Sequence, residues 1–457
     1  MMLRSFHRQK GQKFFQIVIF GLVGAIIFSS SLFAQAASSY DPITASIRKD
    51  AEALSSAEMF GRGYQKDGHL LAARYIARRF EEVGLAPVPN KEGAESPFFQ
   101  PFRITLSLVD GDQKLVLNGS ELEIGKDYII DERSGRADFS ELKVKDLGFG
   151  MPEKFSKSLK DKVVVFRSGL PEKIANDPVL KKKYASVASD AVKIDFATKM
   201  QAEGVIIIKN KLTASLSNMP AELPIIEILD TAVPRKKMKR CGMEIQTGIR
   251  SVQSQNVIGM IKGSEYPDSV VIVSAHYDHL GMQGKAIFYG GNDNASGTAT
   301  LISLAGHFAK PENRPRCTML FVAFTGEEAG LLGSRHYVQR DPLMPLASTK
   351  FILNLDLMAN GDDGITAVAG LDFPEDFAAL QALNKEANAV PQVKGRSNAP
   401  NSDHYFFVKN GVKGMFIYTL GGPPHYHDVN DTYAEMRFPK AAELQRLLAG
   451  FLEWEMK

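Results

Sequence analysis

Along the C-terminal half of the chain, short, mostly apolar runs alternate with longer segments of helical period. Val270–Ala275, Cys317–Phe324, Phe351–Leu355, Ile365–Ala369 and Gly414–Tyr418 read as buried strands. Between and after them, residues 298–309, 374–389 and 439–454 read as helices. In the last, Leu444, Leu447, Leu448, Phe451 and Leu452 fall on one face. Strands alternating with helices predict an α/β unit, a mixed central β-sheet flanked by helices.

The N-terminal half is less regular. Helices are expected over 43–54 and 68–83, the second with Asp67 as its N-cap and Gly84 as its stop. Ile104, Leu106 and Leu108 alternate as a strand, and Leu115–Leu117 is the expected return partner across an Asp110-Gly111-Asp112 turn. From about residue 120, short β-like runs are spaced by charged turns: 163–166, 204–208, 223–226 and 243–249. They predict a separate, smaller α/β insert. Its lysine-rich stretch from Lys173 to Lys193 reads as a solvated face. The expected organisation is residues 1–36 as a targeting segment, 37–118 and 254–457 as one domain, and 119–253 as the insert.

Polar residues at the ends of the strands change the picture. The run at 270–275 ends in His276-Tyr277-Asp278-His279, and that at 317–324 in Thr325-Gly326-Glu327-Glu328. The run at 351–355 ends at Asp356, and that at 414–418 leads to His425-Tyr426-His427. Ligands of open α/β sheets sit at such strand ends. Zinc accepts imidazole nitrogen and carboxylate oxygen together, and paired metals are most simply held by a shared carboxylate. One ion can take His276, Asp356 and a bridging Asp293; a second can take Glu328, His427 and the same bridge. Glu327, beside a ligand, can serve as general base, and Asp278 can orient His276 through its other ring nitrogen. Each residue alone has a bland explanation: a turn residue, a helix cap, a solvated pair. Their joint placement at strand ends of one domain argues against it. The chain has no HExxH, CxxC pair, GxSxG or phosphate-binding glycine fingerprint.

Residues 1–36 carry a basic head (Arg4, Arg8, Lys10, Lys13), an apolar run over 14–33 and the small-x-small site Ala34-Gln35-Ala36. This is a signal peptide pattern and implies export, periplasmic or extracellular; a retained membrane anchor is the alternative. Its removal takes away four basic and no acidic residues, so the net charge of +3 becomes −1. The basic balance therefore gives no case for nucleic acid. Cys241 and Cys317 do not make a metal cluster, and Cys317 begins an apolar run.

The pieces AHYDHLG (275–281), GNDNASG (291–297), FTGEEAGLLGS (324–334), NLDLMAN (354–360), SDHYFF (402–407) and HYHDVNDT (425–432) closely resemble the co-catalytic di-zinc aminopeptidases. That family includes aminopeptidase Y, bacterial leucyl aminopeptidase and glutamate carboxypeptidase II. The resemblance implies a zinc-dependent exopeptidase fold of the phosphorylase/hydrolase-like type and two Zn2+ per chain. It implies metal ligands His276, Asp293, Glu328, Asp356 and His427, with Glu327 as general base and Asp278 as orienting residue. His427, followed by Asp431-Thr432, matches the last ligand better than His425 does. Ser402, Asp403 and His404 match residues on the substrate side, His404 as a helper at the carbonyl oxygen or as a residue that structures the pocket. Tyr405 is the available tyrosine for the oxyanion role that some relatives assign to one. The insert is similar to a protease-associated domain. The expected partners are peptides with a free N-terminus, with neither nucleic acid nor a stable membrane partner. Rival activities on the same fold are a carboxypeptidase or dipeptidase, for which Arg396 would hold a carboxylate, and a one-zinc glutaminyl cyclase. A non-enzymatic binding ectodomain is a further alternative. Oligomeric state is not legible.

Overall fold

A computed structural model describes residues 41–88, 94–155 and 157–457; the expected signal segment at 1–36 lies outside the described residues. Helix α1, Pro42–Leu54, begins with Asp41, whose carboxylate accepts the Ile43 N–H at 2.9 Å, and has Pro42 in its first turn. Helix α2 spans Gly68–Glu82. Asp67 precedes it as expected but sits in the left-handed region and makes no capping bond. Strand β1, Phe99–Val109, then runs antiparallel to a strand far along the chain.

The second unit follows. Its strands are β2 (Lys114–Leu117), β3 (Tyr128–Ile130), β4 (Ala137–Asp146), β5 (Lys162–Arg167), β6 (Gly204–Lys209), β7 (Ile225–Leu229) and β8 (Arg240–Ile245). Helix α3, Asp190–Lys199, lies between β5 and β6. An eight-stranded sheet has the order Ser120–Glu121, β2, β8, β4, β5, β6, β7, β3, with β4 to β7 parallel. The expected return of Leu115–Leu117 against Ile104–Leu108 does not occur. Residues 104–108 pair with 248–252, and β2 pairs with β8. Alternation defines a strand's faces but not its neighbour, so the Asp110-Gly111-Asp112 turn carries the chain from one sheet into the other. The run expected over 243–249 is likewise divided, at Gln246. Within the lysine-rich stretch, Lys181, Lys182 and Lys183 are exposed, but Lys193 is fully buried.

Strand β9, Thr247–Ile261, returns to the first unit. It is followed by β10 (Tyr266–His276), α4 (Gly297–Phe308), β11 (Cys317–Phe324), α5 (Leu332–Gln339), β12 (Thr349–Leu355), β13 (Ile365–Val368), α6 (Pro374–Ala387), β14 (Val393–Arg396), α7 (His404–Lys409), β15 (Lys413–Thr419) and α8 (Ala441–Glu455). The nine-stranded mixed sheet has the order Ala86–Pro87, β9, β11, β10, β12, β15, β13, β14, with β1 also paired to β9. The central strands β11, β10, β12 and β15 are parallel. Successive residues of β10 serve opposite faces. Val271, Val273 and Ala275 pack with residues of α2, α4 and α8, while Val270 and Ile272 pack with Tyr337 of α5 and Phe407 of α7. Each such side chain taken from water contributes about 1.5–3 kcal/mol, so both faces hold the parallel strands rigid beneath their C-terminal ends. Cys241 and Cys317 are buried free thiols in different sheets. No helix among the described residues is long and apolar enough to cross a membrane.

Candidate metal centre

The C-terminal ends of β10, β11, β12 and β15 converge, and the loop at 291–296 leading into α4 closes over them. His276 ends β10 and is 1% exposed. Its Nδ1 lies 3.1 Å from the Asp278 backbone oxygen, which can only accept, so Nδ1 carries the proton. Nε2 is left facing Asp293 Oδ1 at 3.3 Å and Asp356 Oδ2 at 3.4 Å. His427 repeats the arrangement from the loop after β15. Its Nδ1 donates to the Ala214 backbone oxygen at 2.9 Å, and its Nε2 lies 3.1 Å from both Asp293 Oδ2 and Glu328 Oε2. Asp293 therefore turns one oxygen to each histidine.

Two ligand atoms on one tetrahedral zinc lie about 3.4 Å apart, given bonds of about 2.0–2.2 Å. The separations of 3.1–3.4 Å fit that geometry. A second observation agrees: Asp356 Oδ1 is buried without a hydrogen-bond partner. His276, Glu327 and Asp356 offer ligand atoms within 4.8 Å of one another, as do His279, Asp293 and Glu328. His279 Nδ1, however, is only 2.6 Å from Glu328 Oε1, a charge-assisted hydrogen bond rather than a shared ion. His279 is absent from the ligand set read in the sequence, although its place in HYDH marks it.

Supporting contacts fix the carboxylates. Ser402 Oγ donates to Asp356 Oδ2 at 2.9 Å, and Asn354 holds Ser402 at 2.8 Å. Asp431 accepts the N–H groups of Asn292 (2.8 Å) and Asp293 (3.0 Å). The Asp278 carboxylate stands 3.9 Å from the His276 ring; it accepts instead from the Glu327 N–H at 3.2 Å and from the Tyr64 hydroxyl at 3.1 Å. It thus grips the backbone of Glu327, while its main-chain oxygen orients His276.

Arg62 gave no signal in the sequence beyond its two flanking glycines. It is fully buried and donates to the carbonyls of Leu54, Tyr277, Tyr289, Gly290 and Asp293, pinning the loops together. Gly61, at φ +63°, explains the spacing: a Cβ there would stand 2.3 Å from the Phe288 oxygen.

The field at the centre is strongly negative. Burial pushes the Glu327 carboxyl well up, and Glu328, Asp403 and Asp356 add to it against the pull of His276. Burial holds the Asp403 carboxyl up at about 7. Burial opposes ionisation of Glu328 as well, yet His427 and His279 hold its carboxyl down at about 2. Burial opposes charging of His427, yet Glu328 and Asp293 raise its imidazole to about 11. Carboxylates gathered this closely need cations.

His404 follows Ser402 and Asp403 into the interior. It is fully buried on α7 with its ring 5.6 Å from Phe416, and burial depresses it to about 4. Ser402 and Asp403 are also fully buried. Tyr405 lies beside Phe406 on the same helix. The tyrosine at the centre is Tyr426, 52% exposed and stacked on His427 at 3.8 Å. Its position next to His427 was the available signal. Arg396 donates to the Tyr418 hydroxyl at 3.2 Å. Tyr418, Tyr426 and Leu357 line a cavity of about 290 Å³.

Residues 256–452 match the model of peptidase family M28. That match runs from within β9 to within α8, the part of the chain that carries the site. Aminopeptidase YwaD of Bacillus subtilis is 27% identical over 336 residues, 69% of this chain and 67% of that protein. A probable glutamate carboxypeptidase of Arabidopsis thaliana is 30% identical over 198 residues, 40% of this chain. The chain spans only 28% of that M28 relative's length. The likeness in fold to solved structures extends over both units. The crystal structure of a zinc aminopeptidase from Bacillus subtilis superposes with a TM-score of 0.69 at 19% identity, covering 91% of this chain and 95% of that one. An M28 peptidase precursor from Shewanella amazonensis gives 0.60 at 16%, covering 90% and 96%.

Proposed function

We propose that the chain is an exported di-zinc exopeptidase that removes N-terminal residues from peptides. The observation that carries this reading is Asp293, one oxygen toward His276 and Asp356, the other toward His427 and Glu328. Zinc is supported by the mixed imidazole and carboxylate donors and by the names of the relatives. Export rests on residues 1–36, and the assignment of the insert as a protease-associated domain rests on its sequence pieces and its separate sheet.

Zinc bound there supplies a polarised scissile carbonyl and an acidified water. Glu327 takes a proton from the attacking water and returns it to the leaving amine. Burial and the negative neighbours raise its proton affinity for that task. Asp278 fixes Glu327 through its N–H. Tyr426, half exposed and stacked on His427, offers its phenol at the open side as a hydrogen-bond donor. The acidic excess favours a substrate that presents an ammonium group, which is the case for a free N-terminus. Arg396, hydrogen-bonded to Tyr418 in the wall of the cavity, supports the carboxypeptidase as the second reading.

The experiment is hydrolysis of paired unblocked and N-acetylated dipeptides by the mature chain, with metal counting, chelation and zinc add-back. Cleavage confined to unblocked substrates, with two zincs bound, is the expected result. Cleavage of acetylated substrates would replace the aminopeptidase with the carboxypeptidase.

A further inference from the structure

The two metal-facing histidines are oriented by different parts of the chain. The acceptor for His276 Nδ1 is Asp278, two residues away on the same loop. The acceptor for His427 Nδ1 is Ala214, which belongs to the second unit. Ala214 also donates its own N–H to the His427 backbone oxygen at 2.9 Å, so one residue grips both the ring and the main chain of His427.

The segment that brings Ala214 there is anchored at both ends. It leaves β6 at Lys209, whose Nζ pairs with Asp190 at 2.8 Å and Glu227 at 3.0 Å. Two residues on, Lys211 Nζ donates to the carbonyls of Pro424 (2.6 Å) and Tyr426 (2.9 Å), on the loop that carries His427. Leu212 and Ala214 pack against Leu280 and Phe288 beneath. The Ser217 carbonyl accepts the Ser107 N–H at 2.8 Å, fixing the far end to β1.

We infer that residues 209–217 of the insert are a positioning element for one of the two metal positions, the one built on His427 and Glu328. The carbonyl of Ala214 holds the His427 proton on Nδ1 and its Nε2 toward the centre; Lys211 holds the loop that presents it. The inference rests on the two-ion reading. Partners of this kind set ligand orientation and basicity, and their loss typically weakens metal binding about 10–100-fold. Linkage makes the effect mutual: metal at that position holds the segment docked.

The test is zinc titration of the chelator-stripped full chain against a competing chelator. It compares the natural sequence with Lys211→Ala, Lys211→Arg and Ala214→Pro. Far-UV circular dichroism and melting of the stripped proteins check folding; Lys211 is well exposed, so its variants carry the test if Ala214→Pro does not fold. The expected result is two zincs in the natural sequence. In Lys211→Ala one dissociation constant stays unchanged and the other rises about 10–100-fold, with Lys211→Arg partly restored. Two unchanged constants in Lys211→Ala would overturn the inference while leaving the two-ion reading intact. A single zinc in the natural sequence would overturn the two-ion reading. The positioning role then stands only if Lys211→Ala weakens that ion, and falls if it does not.

Discussion

Each of the two sheets collects charge at the C-terminal ends of its parallel strands, and the two collections are built differently. In the insert, Lys209 lies between Asp190 and Glu227 and Arg167 pairs with Asp230 at 2.8 Å, while Arg133 pairs with Asp131 at 2.7 Å beside the opposite end of β7. Lys193 adds hydrogen bonds to the Arg167 and Gly169 carbonyls. Every acid there has a basic neighbour of the chain's own. In the M28 unit, Asp293, Glu327, Glu328, Asp356 and Asp403 crowd around histidines, and the buried Arg62 spends its donors on carbonyls. Balanced charge of the first kind closes on itself and holds a fold. Unbalanced charge of the second kind leaves work for an external cation.

Glu327→Gln attacks the unbalanced cluster at its proposed proton carrier and should have the largest effect. Turnover should fall by about 10²–10⁴-fold with both zincs retained; a variant with bound metal and near-full turnover would remove Glu327 as the base. Arg62→Met tests the cation that this cluster cannot lend to its acids. It should cost about 3–5 kcal/mol in a denaturant titration, since it strands several buried carbonyls at once. Metal removal should separate the two regions. Chelation should lower the stability of the M28 unit by about 3–4 kcal/mol relative to protein in zinc at some 10²–10³ times the dissociation constant. Zinc add-back should restore it, and differential hydrogen exchange should place the loss at 276–296 and 325–328 rather than in β5 and β6. Lys193→Met breaks the balanced cluster at its most buried member. It should cost about 1–3 kcal/mol through its unsatisfied acceptors and leave zinc binding unchanged.

The smallest effect is a pH slope. Burial raises the Glu227 carboxyl from 4.5 to about 7, with Asp131 and Glu132 adding to it against Lys209. The folded chain then holds a proton that the unfolded chain has released, so this group's contribution falls as pH rises from about 4.5 to about 7. Glu227→Gln should flatten that fall in urea titrations taken across the range; an unaltered slope would place Glu227 among the ordinary carboxylates.

Much of this was legible in the sequence, and for physical reasons. Central parallel strands are buried on both faces, so Val270–Ala275 and Cys317–Phe324 appear as mostly apolar runs, and ionisable residues at their ends stand out. His276, Asp293, Glu328, Asp356 and His427 do meet as expected. What escaped depends on partners distant in the chain. The pairing of β1 with β9 is invisible to alternation. Arg62 acts through backbone carbonyls, which have no letter in the sequence. His404 sits in an SDH motif, but its side chain is buried against Phe416, and burial is decided by packing. Lys193 lies in a stretch whose other lysines are exposed, so composition pointed away from it.

The ladder between β1 and β9 has a kinetic consequence. Its register joins Val109 to Thr247 at one end and Phe99 to Val257 at the other, with the whole insert looped out between them. Closing so long a loop from an extended chain is entropically slow. A collapsed insert, with β2 and β8 already side by side, delivers Val109 and Thr247 as near neighbours. The ladder can then zip from that end. Loop closure thus favours assembly from the inside out, with the interrupting sequence formed before the domain it interrupts is completed.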